Sequence, residues 1–155
     1  MPDTIMISRL LVQVRQWLTG ASHVLDLAIR LHVANAFFSS GLTKIRDWDS
    51  TLALFQDEYH VPLLPPGIAA VMGTFGELFF PVLLALGLAT RFAAFSLTIV
   101  NLMAVISYYY VLKDVAGALA QHFYWGTLLL VTLLHGPGKL ALDHFIWPKA
   151  LRQPV

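Results

Sequence analysis

The chain has 155 residues, 57% of them hydrophobic and only 12% charged, with a mean hydropathy of +0.69. Soluble domains carry roughly a quarter charged residues, and a chain this small could not hide so much apolar surface from water, so lipid is the expected solvent. The net charge of +1 and the lack of a basic run or glycine-rich phosphate loop give no support for a nucleic-acid partner, and zero cysteines exclude disulfides, thiolate metal sites, cysteine-ligated clusters and any thiol relay.

In chain order, Ile7, Leu10, Leu11, Val14, Trp17 and Leu18 follow helical spacing, with Arg9, Gln13 and Gln16 on the other face. This predicts an interfacial helix over residues 4–18. A signal peptide is the competing reading, but Arg9 and Arg15 interrupt its apolar region and no convincing cleavage site follows. Crossing ~30 Å of hydrocarbon takes roughly 20 apolar residues, and four stretches qualify, at about 24–42, 67–89, 92–112 and 115–134. The first carries Asp26 and Arg30, the second Glu77, and the other two no charge. Very short turns at Thr90–Arg91 and Lys113–Asp114 make the last three spans antiparallel neighbours.

The predicted fold is therefore all-α: a polytopic membrane protein, an antiparallel four-transmembrane-helix bundle with an N-terminal interfacial helix, in one membrane domain over 1–155. Residues 43–66 read as an external lid, with Asp49 or Ser50 capping a short helix whose face carries Trp48, Leu52, Phe55 and Tyr59 before Pro62, Pro65 and Pro66 end it. The plainer reading of this segment is an interfacial helix with no gating role. Lys and Arg in the connections number six on one side (Arg9, Arg15, Arg91, Lys139, Lys149 and Arg152) and three on the other (Lys44, Arg46 and Lys113). This asymmetry predicts cytoplasmic N and C termini. Tyr108, Tyr109 and Tyr110 then lie at the outer interface.

The informative residues are the polar ones within these spans, since a charge at mid-bilayer costs about 2.5–3.5 kcal/mol even on the gentler scales. Arg30 is expected ~12 Å and Glu77 ~18 Å from the inner ends of their helices, which predicts that they meet. His23, Asp26 and Arg30 form a polar stripe leading to them. Pro81 removes the hydrogen bond to the Glu77 carbonyl and should kink the second span there. Asn101 and His122 are polar positions on the third and fourth spans. An Arg30–Glu77 tie between helices is the plain reading; a polar cavity for a head group or a proton path is the functional one, and the convergence of several ionisable groups favours it.

Histidine pairs, His23 with His135 or His32 with His122, raise axial ligation of haem b, but no single helix carries a diagnostic pair and haem is disfavoured. A metal site from His122, Glu77 and His32 has no supporting ligand spacing, and none is predicted.

Arg30 followed by Phe37, Ser40-Gly41 and Lys44 resembles the opening signature of the DoxX family, an arginine and then F-x-x-S-G-x-x-K. Glu77 followed by Leu86-Gly87-Leu88-Ala89-Thr90-Arg91 resembles its second signature. His122-Phe123-Tyr124-Trp125 and then Gly136-Pro137-Gly138-Lys139-Leu140-Ala141-Leu142-Asp143 resembles its closing one. The resemblance covers about Leu25 to Trp147, with Ala141 standing where the family usually has serine. It implies a small four-helix bacterial or archaeal membrane protein, expected here in the bacterial cytoplasmic membrane, with relatives that accompany quinone-linked and other redox or stress systems. Lys44 and Arg91 join the candidates on this ground. The expected ligand-binding set is Arg30, Lys44, Glu77, Arg91, Asn101 and His122, with Glu77 and Arg30 as the catalytic pair.

The leading functional expectation is a quinone-interacting subunit of a redox system, with electrons supplied by a cofactor or a soluble or membrane redox partner. The alternative is a non-enzymatic accessory, assembly or export protein for a neighbouring redox, stress or metal-handling system. A carrier would require oligomerisation, since four spans without a repeat do not make one alone; a homo-oligomer is compatible with any of these readings.

Overall fold

A computed structural model describes residues 2–146, with side chains from Leu10 onward. Among these residues the secondary structure is all helical, in the order α1 (Pro2–Arg46), α2 (Trp48–Asp57), α3 (Pro66–Leu86), α4 (Thr90–Leu112), α5 (Ala118–His135) and α6 (Leu142–Ile146).

The expected interfacial helix and first span form one continuous helix, α1, of 45 residues. No proline falls between Pro2 and Pro62, and a single interior glycine such as Gly20 costs only about 1 kcal/mol of helix stability. Nothing local breaks the helix at the expected junction. Its burial nevertheless changes sharply: Leu10, Leu11, Trp17 and Leu18 are exposed, whereas from His23 onward one face is buried.

That buried half of α1 packs on α3, α3 on α4, α4 on α5, and α5 returns to α1. The four helices close around a core of Val33, Ala34 and Phe37 from α1, Leu84 from α3, Ala93, Ala94 and Leu97 from α4, and Leu129 from α5. Small residues at this core let the helices approach closely; an added Cβ on Gly76 would meet Val100 at 3.0 Å. The outward faces stay apolar, with Phe75, Phe79, Phe95 and Leu102 exposed, as a lipid-facing surface requires. Both α3 (21 residues) and α4 (23 residues) are long and apolar enough to cross a membrane.

The stops are local. Gly87 (φ 69°), with Ala89 (φ 47°), turns the chain from α3 into α4, and Gly117 (φ 81°) starts α5 three residues later than the sequence suggested. Pro81 lies within α3, fully buried, and the helix continues through it. The cap of α2 is Asp47, whose carboxylate accepts from the Ser50 N–H at 3.0 Å and the Ser50 hydroxyl at 2.7 Å; neither Asp49 nor Ser50 is the cap. Phe55 of α2 packs on Ala69 and Ala70 of α3, so this short helix covers one end of the bundle, hereafter the upper end. Trp48, expected on the same face, is exposed. Glu58, just after α2, accepts the Tyr108 hydroxyl with its carboxylate and the Tyr110 hydroxyl with its carbonyl, both at 2.6 Å. Tyr108 itself departs from helical geometry (φ −124°, ψ 18°), which bends α4 at this latch.

Candidate functional site

The six expected ligand-binding residues sort into three places. Arg30 is 1% exposed, yet its partner is not Glu77. Its guanidinium donates to the carbonyls of Leu84 (3.2 Å) and Ala85 (3.3 Å) at the end of α3, and to that of Leu140 in the segment after α5. Helix C-termini leave carbonyls without partners, and a planar fork of donors suits them. Side chains in a helix lean toward its N-terminus. On α1 that direction is the lower end, away from Glu77, which is why the pairing expected from depth alone does not form.

The lower end is tied further. Asp143 accepts from the N–H groups of Ala89 and Thr90 (both 2.8 Å) and from the Thr90 hydroxyl (2.7 Å), and its own N–H donates to the Gly87 carbonyl. Arg91 donates to the Leu134 carbonyl at 3.2 Å, near the end of α5, and so also belongs to this end. Asp26 lies 3.0 Å from His135 Nδ1, with the buried His23 ring at 3.9 Å. The stripe of His23, Asp26 and Arg30 exists, but it meets the segment after α5. An added Cβ on Gly138 would sit 2.8 Å from Asp26 Oδ2, so this segment presses close.

The second place joins α1 to α3 nearer the upper end. Lys44 Nζ pairs directly with Glu77 Oε2, and the two side chains are only 14% and 11% exposed. Lys44 also donates to the Ser40 hydroxyl at 2.9 Å, and its carbonyl accepts the Thr51 hydroxyl at 3.0 Å. The same leaning rule explains the pair: Lys44 near the end of α1 reaches back down, while Glu77 on the antiparallel α3 leans up. Gly41 permits the approach, since an added Cβ there would press on Leu78 and Glu77. One turn from Glu77 on α3, the Thr74 hydroxyl is buried without a hydrogen-bond partner. Tyr59 stands close enough to feel this site: burial first, then the charges of Glu77 and Glu58, push its hydroxyl above the ordinary tyrosine pKa.

The third place joins α4 to α5. Asn101, buried, donates through Nδ2 to the His122 carbonyl at 3.0 Å, while its Oδ1 lies 2.8 Å from His122 Nδ1. His122 meets Trp125 edge-on at 5.3 Å, and Trp125 lies against Phe37 of α1 at 5.8 Å. Of the remaining histidines, His32 packs edge-on against Tyr124 at 5.7 Å.

Arg30, Lys44, Glu77, Arg91, His122 and Asp143 of the three sequence signatures thus lie where helices meet. A family model bears out the resemblance over the first two signatures: that of DoxX matches residues 25–110, and the closing signature lies beyond the match. The chain belongs to the DoxX family. A similar protein from Haemophilus influenzae, itself described as uncharacterized, is 34% identical over 129 residues, covering 77% of this chain and 82% of the relative. No solved structure matches. Membership in DoxX makes this a membrane protein of a family often linked to redox and stress systems.

Sequence reasoning missed Asp143, Thr74 and Tyr59. Asp143 carried a signal, since it closes the last signature after a glycine-rich turn. Thr74 carried one too, lying three residues before Glu77 and so on its face. Tyr59 was placed on the face of α2 but not connected with Glu77.

Proposed function

We propose that this DoxX protein is a four-span subunit of a redox system in the bacterial cytoplasmic membrane, with both termini cytoplasmic, and that Lys44 and Glu77 receive a quinone head group. The Lys44–Glu77 pair carries this reading. Ionisable groups in a membrane segment are costly and mark functional sites by default; this pair has a hydroxyl on Ser40 as a partner and an unsatisfied one on Thr74 nearby. A quinone carbonyl needs a hydrogen-bond donor, which the lysine supplies. Its reduction to quinol takes two electrons and two protons, and Glu77 beside Lys44 is a group that can pass a proton. The chain has no cysteine, and the electrons come from a partner reductase. Arg30, whose guanidinium donates to three backbone carbonyls, holds the fold and leaves the head group to Lys44 and Glu77.

Mass spectrometry of lipids extracted from the purified protein tests the site. Bound quinone should appear with the native protein and fall at least tenfold with the Lys44→Met, Glu77→Leu double variant. Equal quinone in both, or none in either, overturns the head-group site and favours an accessory or assembly role. Orientation is tested separately: a reporter fused after Pro66 should behave as periplasmic, and one fused after Val155 as cytoplasmic.

A further inference from the structure

The Asn101–His122 pair determines more than its distances state. The His122 backbone carbonyl can only accept, so the Asn101 atom facing it must be the amide nitrogen. That fixes the amide, and its oxygen then faces His122 Nδ1 at 2.8 Å. An amide oxygen also only accepts, so Nδ1 must carry a proton. The neutral imidazole has one protonated nitrogen, and the lone pair is therefore on Nε2. Gly126 makes this possible: an added Cβ there would meet the Asn101 amide nitrogen at 3.3 Å. Trp125 lies edge-on to the ring and is itself packed against Phe37.

We infer that Asn101 is a positioning residue that locks His122 as the Nδ1–H tautomer, making Nε2 a hydrogen-bond acceptor for the hydroxyl of a reduced, hydroquinone-type head group. This inference rests on the quinone reading above for its ligand class, but the lock itself does not. The Lys44–Glu77 pair offers a donor and an acceptor and suits either redox state. His122 Nε2, an acceptor only, suits the reduced hydroxyl and not the oxidised carbonyl, so the Asn101–His122 pair discriminates the two states by hydrogen-bond direction.

Nitrogen-15 NMR of histidine-labelled full-length protein in detergent micelles tests this, with decylubiquinone and decylubiquinol as probes. The ligand-free protein should show His122 Nδ1 protonated and Nε2 unprotonated. Decylubiquinol should shift the Nε2 resonance, and decylubiquinone should leave it in place. Asn101→Leu should abolish the tautomer preference; Gly126→Ala, which crowds the amide and introduces a better helix former, should weaken it in a protein that still folds. A protonated Nε2 in the ligand-free protein overturns the lock. Binding of decylubiquinone with Nε2 unmoved by decylubiquinol overturns the acceptor role and leaves the Lys44–Glu77 reading standing. Binding of neither probe overturns that reading and the ligand class with it, while the tautomer is still read independently.

Discussion

Arg30 and Asp143 grip the two sides of the same turn. The guanidinium takes carbonyls at the end of α3, and the carboxylate takes the first N–H groups of α4. Helix ends expose opposite partial charges, so a cation on one and an anion on the other suit both. Arg30 also reaches Leu140, three residues before Asp143, so the chain after α5 is fastened to the turn between α3 and α4.

Arg30→Leu should cost about 3–5 kcal/mol, as expected when a buried charged partner is removed and polar groups are left unpaired. Arg30→Lys should recover only part of this, because one ammonium cannot match a planar fork shared among three carbonyls. Asp143→Asn keeps the shape but loses charge-assisted bonds, at about 1–3 kcal/mol. Thermal unfolding in detergent measures all three, and an unchanged Arg30→Leu protein would contradict the assignment.

Gly87→Ala should destabilise strongly. A left-handed residue costs about 1–2 kcal/mol for an L side chain, and here the new Cβ would also overlap the Arg30 guanidinium and Ala141. Gly117→Ala meets the same backbone penalty, but nothing lies within 4 Å of its added Cβ. The difference in melting temperature between the two variants isolates the crowding from the backbone conformation. Equal losses would show that Arg30 and Ala141 yield freely.

Much of the helix layout was legible in the apolar stretches and the short turns between them, but the expected spans ran through Gly87 and Gly117, whose left-handed backbones end α3 and begin α5. The continuity of α1 was not, because an amphipathic stretch followed by an apolar one reads as two environments, and the backbone need not break between them. The partner of Arg30 was missed because depth counted from helix ends treats side chains as perpendicular spokes, although they lean toward the N-terminus. Its partners are also backbone carbonyls, which no side-chain pattern displays. Lys44 was counted as an external basic residue, yet its four-carbon stem brings the charge back into the bundle.

The upper end should loosen in acid. The hydrogen bonds from Ser50 hold the Asp47 carboxylate below its ordinary pKa. A carboxylate whose folded pKa is depressed stabilises the fold above its unfolded value, and that contribution is lost as pH falls through the folded pKa. Helix α2 should fray first at its N-terminus, seen as faster amide exchange at Ser50 and Thr51 after correction for intrinsic rates. Asp47→Asn should show the same exchange at neutral and acid pH; a continued acid response would assign the effect to another group.

The pairing of Glu77 decides which residues share a site. Removing one member of a buried ion pair leaves the other uncompensated, typically costing 3–5 kcal/mol, whereas replacing both with apolar residues is often nearly neutral. Lys44→Met and Glu77→Leu should each destabilise the protein in detergent, and the double variant should recover much of the loss. Arg30→Leu combined with Glu77→Leu should instead give nearly additive losses, because Arg30 is held by the carbonyls of Leu84, Ala85 and Leu140 and Glu77 by Lys44, with no partner shared. The two cycles share one variant, so a general softening of the bundle would raise the coupling in both alike. Coupling confined to Lys44 and Glu77 identifies the pair, and coupling confined to Arg30 and Glu77 would return the site to the arrangement that helix depth alone suggests.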